Sequence, residues 1–314
     1  MRSRSKVRIV TPGLLTTVQD SGRWGHQQYG VSVSGAMDVM SLHWANRLVG
    51  NRSTAAALEV TLTGPTLHFE RGARVAICGA AFDLRLDDHQ VSLDTLIDAG
   101  PGQTLTFGRR TRGARAYLAM AGGIEVTPVL GSRSTHLPSR MGGVEGRALK
   151  SGDTLTIGMV QGVPARPTPK YKWKKRAVIG GTCVRVLPGA HHDWFDANAV
   201  EQLHHMRCTV SPVSDRMGYR LSGDPLWRRH DRQVLSQALP LGALQVLPSG
   251  GIIVAMADRQ TSGGYPRIAT VISADIPLLG QLAPGDWLEF EPCEPATARE
   301  ALARVAREFA VPGT

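Results

Sequence analysis

One string limits what this chain can fold into more than any other: a glycine turn that feeds a strand with two unlike faces. GDTLTI at 152–157 returns as GDWLEF at 285–290, 133 residues later, and GQTLTF at 102–107 is a third relative. In each, the glycine permits the turn. The residues after it alternate polar with apolar, which buries one face of a strand and leaves the other wet. A second echo has nearly the same spacing: YLAMAGG at 117–123 and IVAMADR at 253–259 lie 136 residues apart. Two echoes at nearly equal offsets suggest an internal duplication of a β-rich unit.

The rest of the chain reads in the same way. Further strands are expected at Val7–Val10, Thr66–Phe69, Arg74–Ile77, Phe82–Leu86, Ala114–Leu118, Cys183–Leu187, Ile252–Met256, Ile268–Ile272 and Trp287–Phe290. Short strands at this spacing, with Gly, Pro and Asp between them, suggest barrels or sandwiches. Helices are few. Met37, Met40, Trp44 and Leu48 form an apolar stripe with Gly50 as a stop and Ser34 as a candidate cap. Asp193 is expected to cap a helix reaching about His204. Leu302, Val305 and Phe309 mark a C-terminal helix opened by a Thr297–Glu300 capping box. All these stripes read as core contacts. The segment 160–176, VQGVPARPTPKYKWKKR, lacks periodicity and reads as a linker with solvated lysines.

Charge and composition exclude several classes. The 42% hydrophobic fraction rules out wholesale disorder. The longest clean aliphatic run, Ile252–Ala257, falls far short of the ~20 residues that span a bilayer. Arg2, Arg4 and Lys6 are followed by an amphipathic strand and by no signal-peptide core, so no membrane association and a cytoplasmic location are expected. The net charge of +10 is carried by arginine scattered along the chain, with four of the six lysines in 170–175. With 5% aromatic residues there is little to stack on bases, and no nucleic-acid role is expected. Cys78, Cys183, Cys208 and Cys293 contain no C-x-x-C and read as buried small hydrophobes of a reducing compartment.

The common nucleotide, metalloprotease and hydrolase signatures are absent from the string: no G-x-x-x-x-G-K-[ST], no G-x-G-x-x-G, no H-E-x-x-H, no G-x-S-x-G, and no Met-Lys-Met for biotin attachment. Four polar, glycine-dense loops remain. QDSGRWG at 19–25, with SGAMD at 34–38, offers Asp20, Arg23 and Asp38 beside flexible backbone. GSRST at 131–135, followed by GGVEGR, offers Ser132, Arg133, Ser134 and Thr135, suited to a carboxylate or phosphate. SDRMGYRLSG at 214–223 carries Arg216 and Arg220, which share a face if the segment is extended; Asp215 or Asp224 would be the alternative, structural partners. DRQTSGGYP at 258–266 follows the most hydrophobic strand and presents Gln260, Thr261, Gly263, Gly264 and Tyr265. The pairs His191–His192 and His204–His205 have no completing carboxylates at ligand spacing and read as surface residues, so no metal site is expected.

Six segments occur in an order that resembles a known family: 11–38, AGGIEV at 121–126, GSRST, SDRMGYRL at 214–221, GALQV at 242–246 and DRQTSGGYPRIATVI at 258–272. Together they resemble the biotin-dependent carboxyltransferase family typed by allophanate hydrolase subunit 2, from about Val7 to Phe290. The resemblance implies a mainly β fold of two cyclophilin-like β-barrel domains with a few short helices. The expected division is 1–160, a linker at 161–176, a second half at 177–294 and a C-terminal helix at 295–314.

The resemblance also implies an activity and partners. The function expected from it is that of a C-type subunit of ATP-dependent 5-oxoprolinase. It would form a hetero-oligomer with a subunit-1 or B-type homologue that activates 5-oxoproline with ATP, and the A-type 5-oxoprolinase subunit would open the ring to glutamate. ATP is then a cofactor of the complex, and the chain alone is expected to be inactive. One alternative is carboxyl transfer to urea or a related amide from biotin carried by another protein. Another is a non-catalytic antagonist that binds a kinase-inhibitor-like partner. The motif positions form the expected site, with the loops near Gly22, Ser132 and Gly263 making a cleft with the partner. Asp20 or Asp38 would be the general base, with Arg216 stabilising charge. Arg23, Ser132, Arg133, Ser134, Thr135, Arg220, Gln260, Thr261, Gly263, Gly264 and Tyr265 would bind substrate.

Overall fold

The computed structural model describes residues 5–160, 179–230 and 232–309. In chain order the first elements are β1 Lys6–Thr11, β2 Leu15–Gln19, α1 Val39–Leu48, β3 Ala57–Thr61, β4 Thr66–Phe69, β5 Ala73–Leu86, β6 His89–Val91, β7 Leu96–Ala99, β8 Thr104–Met120, β9 Ile124–Glu125 and β10 Thr154–Ile157. There follow β11 Gly181–Pro188, α2 Ala197–His205, β12 Cys208–Val210, β13 Gly218–Ser222, β14 Gln237–Ala238, β15 Ala243–Val246, β16 Ile252–Ala255, β17 Ser262–Gly263, β18 Arg267–Val271, α3 Ile276–Gly280, β19 Trp287–Pro292 and α4 Pro295–Phe309. The protein is mainly β. It divides into two compact units, but not by a simple cut near residue 160: Gly25–Val33 groups with the later half of the chain. The linker expected at 161–176 lies outside the described residues.

The first unit is a ten-stranded sheet along the path β2-β3-β8-β4-β1-β10-β9, with β5 paired to β8 and to β6 and β7. Beyond β9, the Ile124 N–H donates to Ala56 O at 3.2 Å, next to β3, so the path bends back toward its start. The strands expected at 74–77 and 82–86 are one strand, β5, and those at 102–107 and 114–118 merge in β8. The two run antiparallel over their whole length with register shifts between Gly79 and Leu84. Gly79 and Gly113 have positive φ there, so bulges bend the strands without ending them. Alternate residues such as Val75, Ile77, Leu105, Leu118 and Leu155 face a core that also takes Val7, Ile9, Phe69 and Phe107.

The second unit is a closed barrel, β11-β18-β15-β16-β13-β12-β19, in which β11 and β19 form the parallel pair. Its inward residues include Val184, Val210, Tyr219, Leu244, Val254, Ile268 and Phe290, each at most 2% exposed. β14 and β17 form a separate two-stranded ribbon.

The echoed strings adopt the same local structure. Gly152 N–H donates to Ile9 O, and Ile9 N–H to Asp153 O, both at 2.8 Å. In the second unit Gly285 N–H donates to Val210 O and Val210 N–H to Asp286 O, at 2.8 and 2.9 Å. Each aspartate also accepts a backbone N–H from three residues earlier at 2.8 Å: Lys150 to Asp153, and Ala283 to Asp286. Around Gly102 and Gln103 the same clamp closes on Phe69. The other echo also matches: Met120 and Met256 are fully buried, and each accepts a turn hydrogen bond from the residue three on, Gly123 and Arg259.

The helices correct three expectations. Asp38, not Ser34, caps α1; its carboxylate accepts from Ser41 N–H at 3.0 Å, while Ser34 sits at φ +57° before the helix. Met37, Met40, Trp44 and Leu48 are buried as the stripe requires. Asp193 lies in a three-residue 3-10 turn, and α2 starts later, capped by Asp196, which accepts from Ala199 N–H at 2.7 Å. α4 begins at Pro295, so Thr297 lies inside it. The stripe it buries is Ala298, Ala301 and Val305, packed on Ile272 and Ala274, whereas Leu302 is 48% exposed. The side chain of Phe309 is outside the described set. Of the cysteines, Cys78 and Cys208 are buried as expected, but Cys183 is exposed, and Cys293 is half-buried against the small cluster of Ile272, Ala274 and Ala301. No helix among the described residues is long and apolar enough to cross a membrane.

Candidate functional site

Two sequence motifs of the first unit meet in one hydrogen-bonded knot. Asp20 is 7% exposed. Its Oδ1 accepts from Gly22 N–H at 2.8 Å, Ser132 Oγ at 2.6 Å and Ser134 Oγ at 2.5 Å, and its Oδ2 accepts from Arg133 N–H at 2.6 Å. Gln19 Nε2 and Ser34 Oγ both donate to Thr135 O at 3.0 Å, and Thr135 returns its N–H and Oγ1 to Val18 O. Arg23 is 1% exposed and an Nη donates to Ser134 O. Two glycines let the strings approach this closely: a Cβ at Gly35 would stand 2.9 Å from Gly22 N, and one at Gly142 would meet Ser134 O and, at 2.7 Å, Arg23 Nη2.

Below α1, Glu59 is 1% exposed and accepts from Tyr117 Oη at 2.6 Å and Met37 N–H at 2.9 Å, with Arg115 Nε 3.8 Å away. Burial first, then the charges of Glu59 and Asp38, push the Tyr117 phenol well above its ordinary pKa. Tyr117 therefore bridges the two acids' segments, donating its hydroxyl to Glu59 and accepting from Asp38 N–H at 2.8 Å. Asp38, 1% exposed, is fixed by Ser41 N–H and Ser41 Oγ. Arg133 itself points elsewhere. Its Nε donates to Val126 O at 3.0 Å, and it lines a shallow polar pocket with Asn51, Arg52 and Gly122.

In the second unit SDRMGYRL and DRQTSGGYP also meet, through a different bond. Arg216, 4% exposed, forms a two-pronged ion pair with Asp258, 2% exposed, at 2.9 Å (Nε–Oδ2) and 3.0 Å (Nη2–Oδ1). Asp258 N–H donates to Arg216 O at 2.8 Å, which locks the two segments together. Neither Asp215 nor Asp224 is its partner. Asp215 Oδ1 instead accepts from Met217 N–H and Gly218 N–H, so the chain turns before β13 begins. That turn also breaks the even spacing, and Arg216 faces inward while Arg220 is exposed on the strand.

Beside this pair a pocket of about 360 Å3 opens in the second unit. Arg220, Gln260, Gly263, Gly264 and Tyr265, all expected at the site, line it; Thr261 does not. It also takes residues that the sequence reading missed, Arg259 and Gln245. Arg259 is held by its own Nε donating to Leu239 O at 2.9 Å and by Ser32 Oγ donating to its carbonyl at 3.0 Å. Burial pulls its pKa below the ordinary arginine value. No carboxylate lies within ion-pair distance of Arg259 or Arg220 among the described residues. The pocket therefore presents two guanidinium groups with no acid in ion-pair contact. Asp215 is the acid on its wall, with Oδ1 already taken by backbone. Arg259 sits inside a motif that was singled out, but its lack of an acid partner depends on contacts no single segment records. Gln245 is the Gln of GALQV, and only its burial marks it.

The histidines are not all superficial. His191 is 6% exposed, packs edge-on to Trp194 and accepts from Arg267 N–H at its Nδ1. Among the described residues no group of three or more His, Cys, Asp or Glu side chains is arranged to hold a metal ion.

Comparison with known proteins places these features. Residues 29–292 match the carboxyltransferase domain, subdomains A and B. The chain is 42% identical over 303 residues to the 5-oxoprolinase C subunit of Escherichia coli (strain K12), covering 96% of both chains. It is 37% identical to the 5-oxoprolinase C subunit of Haemophilus influenzae, covering 88% of this chain and 87% of that one. Among solved structures it superposes on K. lactis urea amidolyase with a TM-score of 0.89 and 31% identity, over 98% of this chain but 20% of that much longer one.

Proposed function

This chain belongs to the carboxyltransferase-domain family, subdomains A and B, and we propose that it is the C-type subunit of an ATP-dependent 5-oxoprolinase. It works with a B-type homologue that completes its site and an A-type protein that finishes ring opening to glutamate. ATP is consumed by that complex. The observation that carries this reading is the pair of guanidinium groups, Arg220 and Arg259, lining one pocket with no acid of their own. Arg259 is half-buried and Arg220 is exposed beside it; a bound carboxylate would take charge-assisted hydrogen bonds from both and offset the cost of half-burying Arg259. 5-Oxoproline brings such a carboxylate.

Arg216 then acts through the scaffold: paired with Asp258, it fixes the loop that presents Arg259. Asp20, Asp38 and Arg23, buried and bonded inside the first unit, are assigned to architecture in this reading rather than to proton transfer or binding. Opening the ring amide adds one water across the C–N bond, with hydroxide joining the carbonyl carbon and a proton joining the amine. Proton transfer in that step falls to groups that the assembled complex brings to the pocket.

The second reading is biotin-borne carboxyl transfer to urea or another amide, favoured by the likeness to urea amidolyase. Urea itself brings no carboxylate, so in that reading Arg220 and Arg259 meet only the carboxyl group carried on biotin and left on the product, whereas 5-oxoproline brings a carboxylate of its own. The test is reconstitution of the chain with its A- and B-type partners and measurement of 5-oxoproline-dependent ATP turnover. Arg220→Ala and Arg259→Ala are expected to lower kcat/KM roughly 100-fold, about 2.7 kcal/mol, mainly through KM. Biotin-dependent urea consumption without 5-oxoproline turnover overturns the reading, and a stable complex that turns over neither supports an antagonist.

A further inference from the structure

The pocket holds one more unpartnered group. Gln245 lies on β15 opposite Ile253 of β16 and is 7% exposed, yet its carboxamide has no hydrogen-bond partner among the described residues. The residue is buried overall while its carboxamide opens on the pocket, so a donor and an acceptor stand there uncommitted and available to a ligand. Its setting is built around it. Gly263, on the ribbon strand β17, brings backbone so close that a Cβ there would stand 2.7 Å from Gln245 Nε2. On the same wall stand Arg220, Arg259 and Tyr265.

We propose that Gln245 selects a cis amide. A primary carboxamide has a donor and an acceptor on one edge. A lactam locks its N–H and C=O on one edge as well, so the two can pair through parallel hydrogen bonds. Gln245 Oε1 accepts from the ring N–H, and Gln245 Nε2 donates to the ring carbonyl. An ordinary trans amide turns these groups to opposite edges and makes one of the two bonds at most. With the carboxylate on Arg220 and Arg259, the pocket takes a small cyclic amide that bears an acid. This rests on the reading of the pocket given above and adds which residue reads the ring.

The test compares 5-oxoproline with its lactone analogue, in which a ring oxygen replaces the N–H, by calorimetric binding and by kcat/KM with the reconstituted complex. The wild type is expected to favour the lactam by roughly 100-fold or more, as sites that pair a substrate N–H do. Gln245→Met, which keeps length and burial, is expected to bring the two ligands within a few-fold by weakening the lactam. Gly263→Ala, which leaves Gln245 in the chain but crowds its Nε2, is expected to act in the same direction, and thermal unfolding confirms that each variant folds. Arg220→Ala weakens both ligands equally. If Gln245→Met keeps the discrimination, or weakens both ligands alike, the amide assignment falls while the carboxylate pocket stands. If Arg220→Ala and Arg259→Ala leave both ligands unaffected, the pocket reading itself falls.

Discussion

Each unit buries an aspartate in a glycine-rich loop, and the two are satisfied in opposite ways. Asp20 is surrounded by two hydroxyls and two backbone N–H groups. Asp258 is met by a guanidinium. In the first unit the serines and threonine of GSRST bond to loop and backbone, and the loop is closed. In the second, one arginine neutralises the aspartate while Arg220, Arg259 and Gln245 are left facing a pocket. Loops of similar composition thus close on themselves in one place and line a pocket in the other. What separates them is the hydrogen-bond accounting, not the residue types.

The sharpest way to break this contrast is to remove one partner of the ion pair. Arg216→Met leaves Asp258 charged and buried without its guanidinium, and the expected loss is about 3–5 kcal/mol, measured by chemical denaturation. Replacing both residues with apolar ones should recover much of that loss. A single variant that costs under about 1 kcal/mol means the pair is dispensable.

Asp20→Ala tests the other side. It strands two hydroxyls and two N–H groups, for an expected loss of about 2–4 kcal/mol. Because water or a neighbouring group can partly replace a neutral partner, the effect should be the smaller of the two. If Asp20→Asn keeps full stability yet abolishes turnover, Asp20 has the chemical role that the scaffold reading denies it.

The smallest expected effect separates the two copies of the glycine–aspartate turn. Arg147 bonds both oxygens of Asp153 at 2.7 and 3.0 Å and holds its carboxyl below the ordinary aspartate pKa. A depressed pKa contributes stability above the unfolded-state value, and that contribution fades as pH falls through the folded value. Asp153→Asn should therefore cost about 1 kcal/mol near neutral pH and progressively nothing in acid, read from urea midpoints across pH. A deficit that persists in acid would assign the cost to the Lys150 N–H contact instead of to charge.

Much of the architecture was legible. The glycine turns and alternating strands appeared where the strings placed them, and the echo at 133 residues proved to be a shared hydrogen-bond clamp. The presence of the same clamp at Gly102–Gln103 shows why such strings cannot by themselves delimit a repeat. Helix starts were misplaced by two to four residues because Asp196 and Asp38 competed with nearby residues of equal capping propensity, and backbone geometry chose between them. The candidate site was legible as loops but not as roles. Arg216 and Arg220 look alike in the string, yet one faces Asp258 and the other the pocket.

By itself, then, the sequence determined what a few neighbouring residues can enforce: turns at glycines with positive φ, alternating faces, and membership of a family whose motifs lie in this order. The tertiary structure decided which polar groups are consumed by one another and which stay open to the pocket. Asp20 finds Ser132 across 112 positions, and Arg216 finds Asp258 across 42. Whether a buried charge or amide is satisfied depends on everything packed around it, and that sum exists only once the barrels have closed.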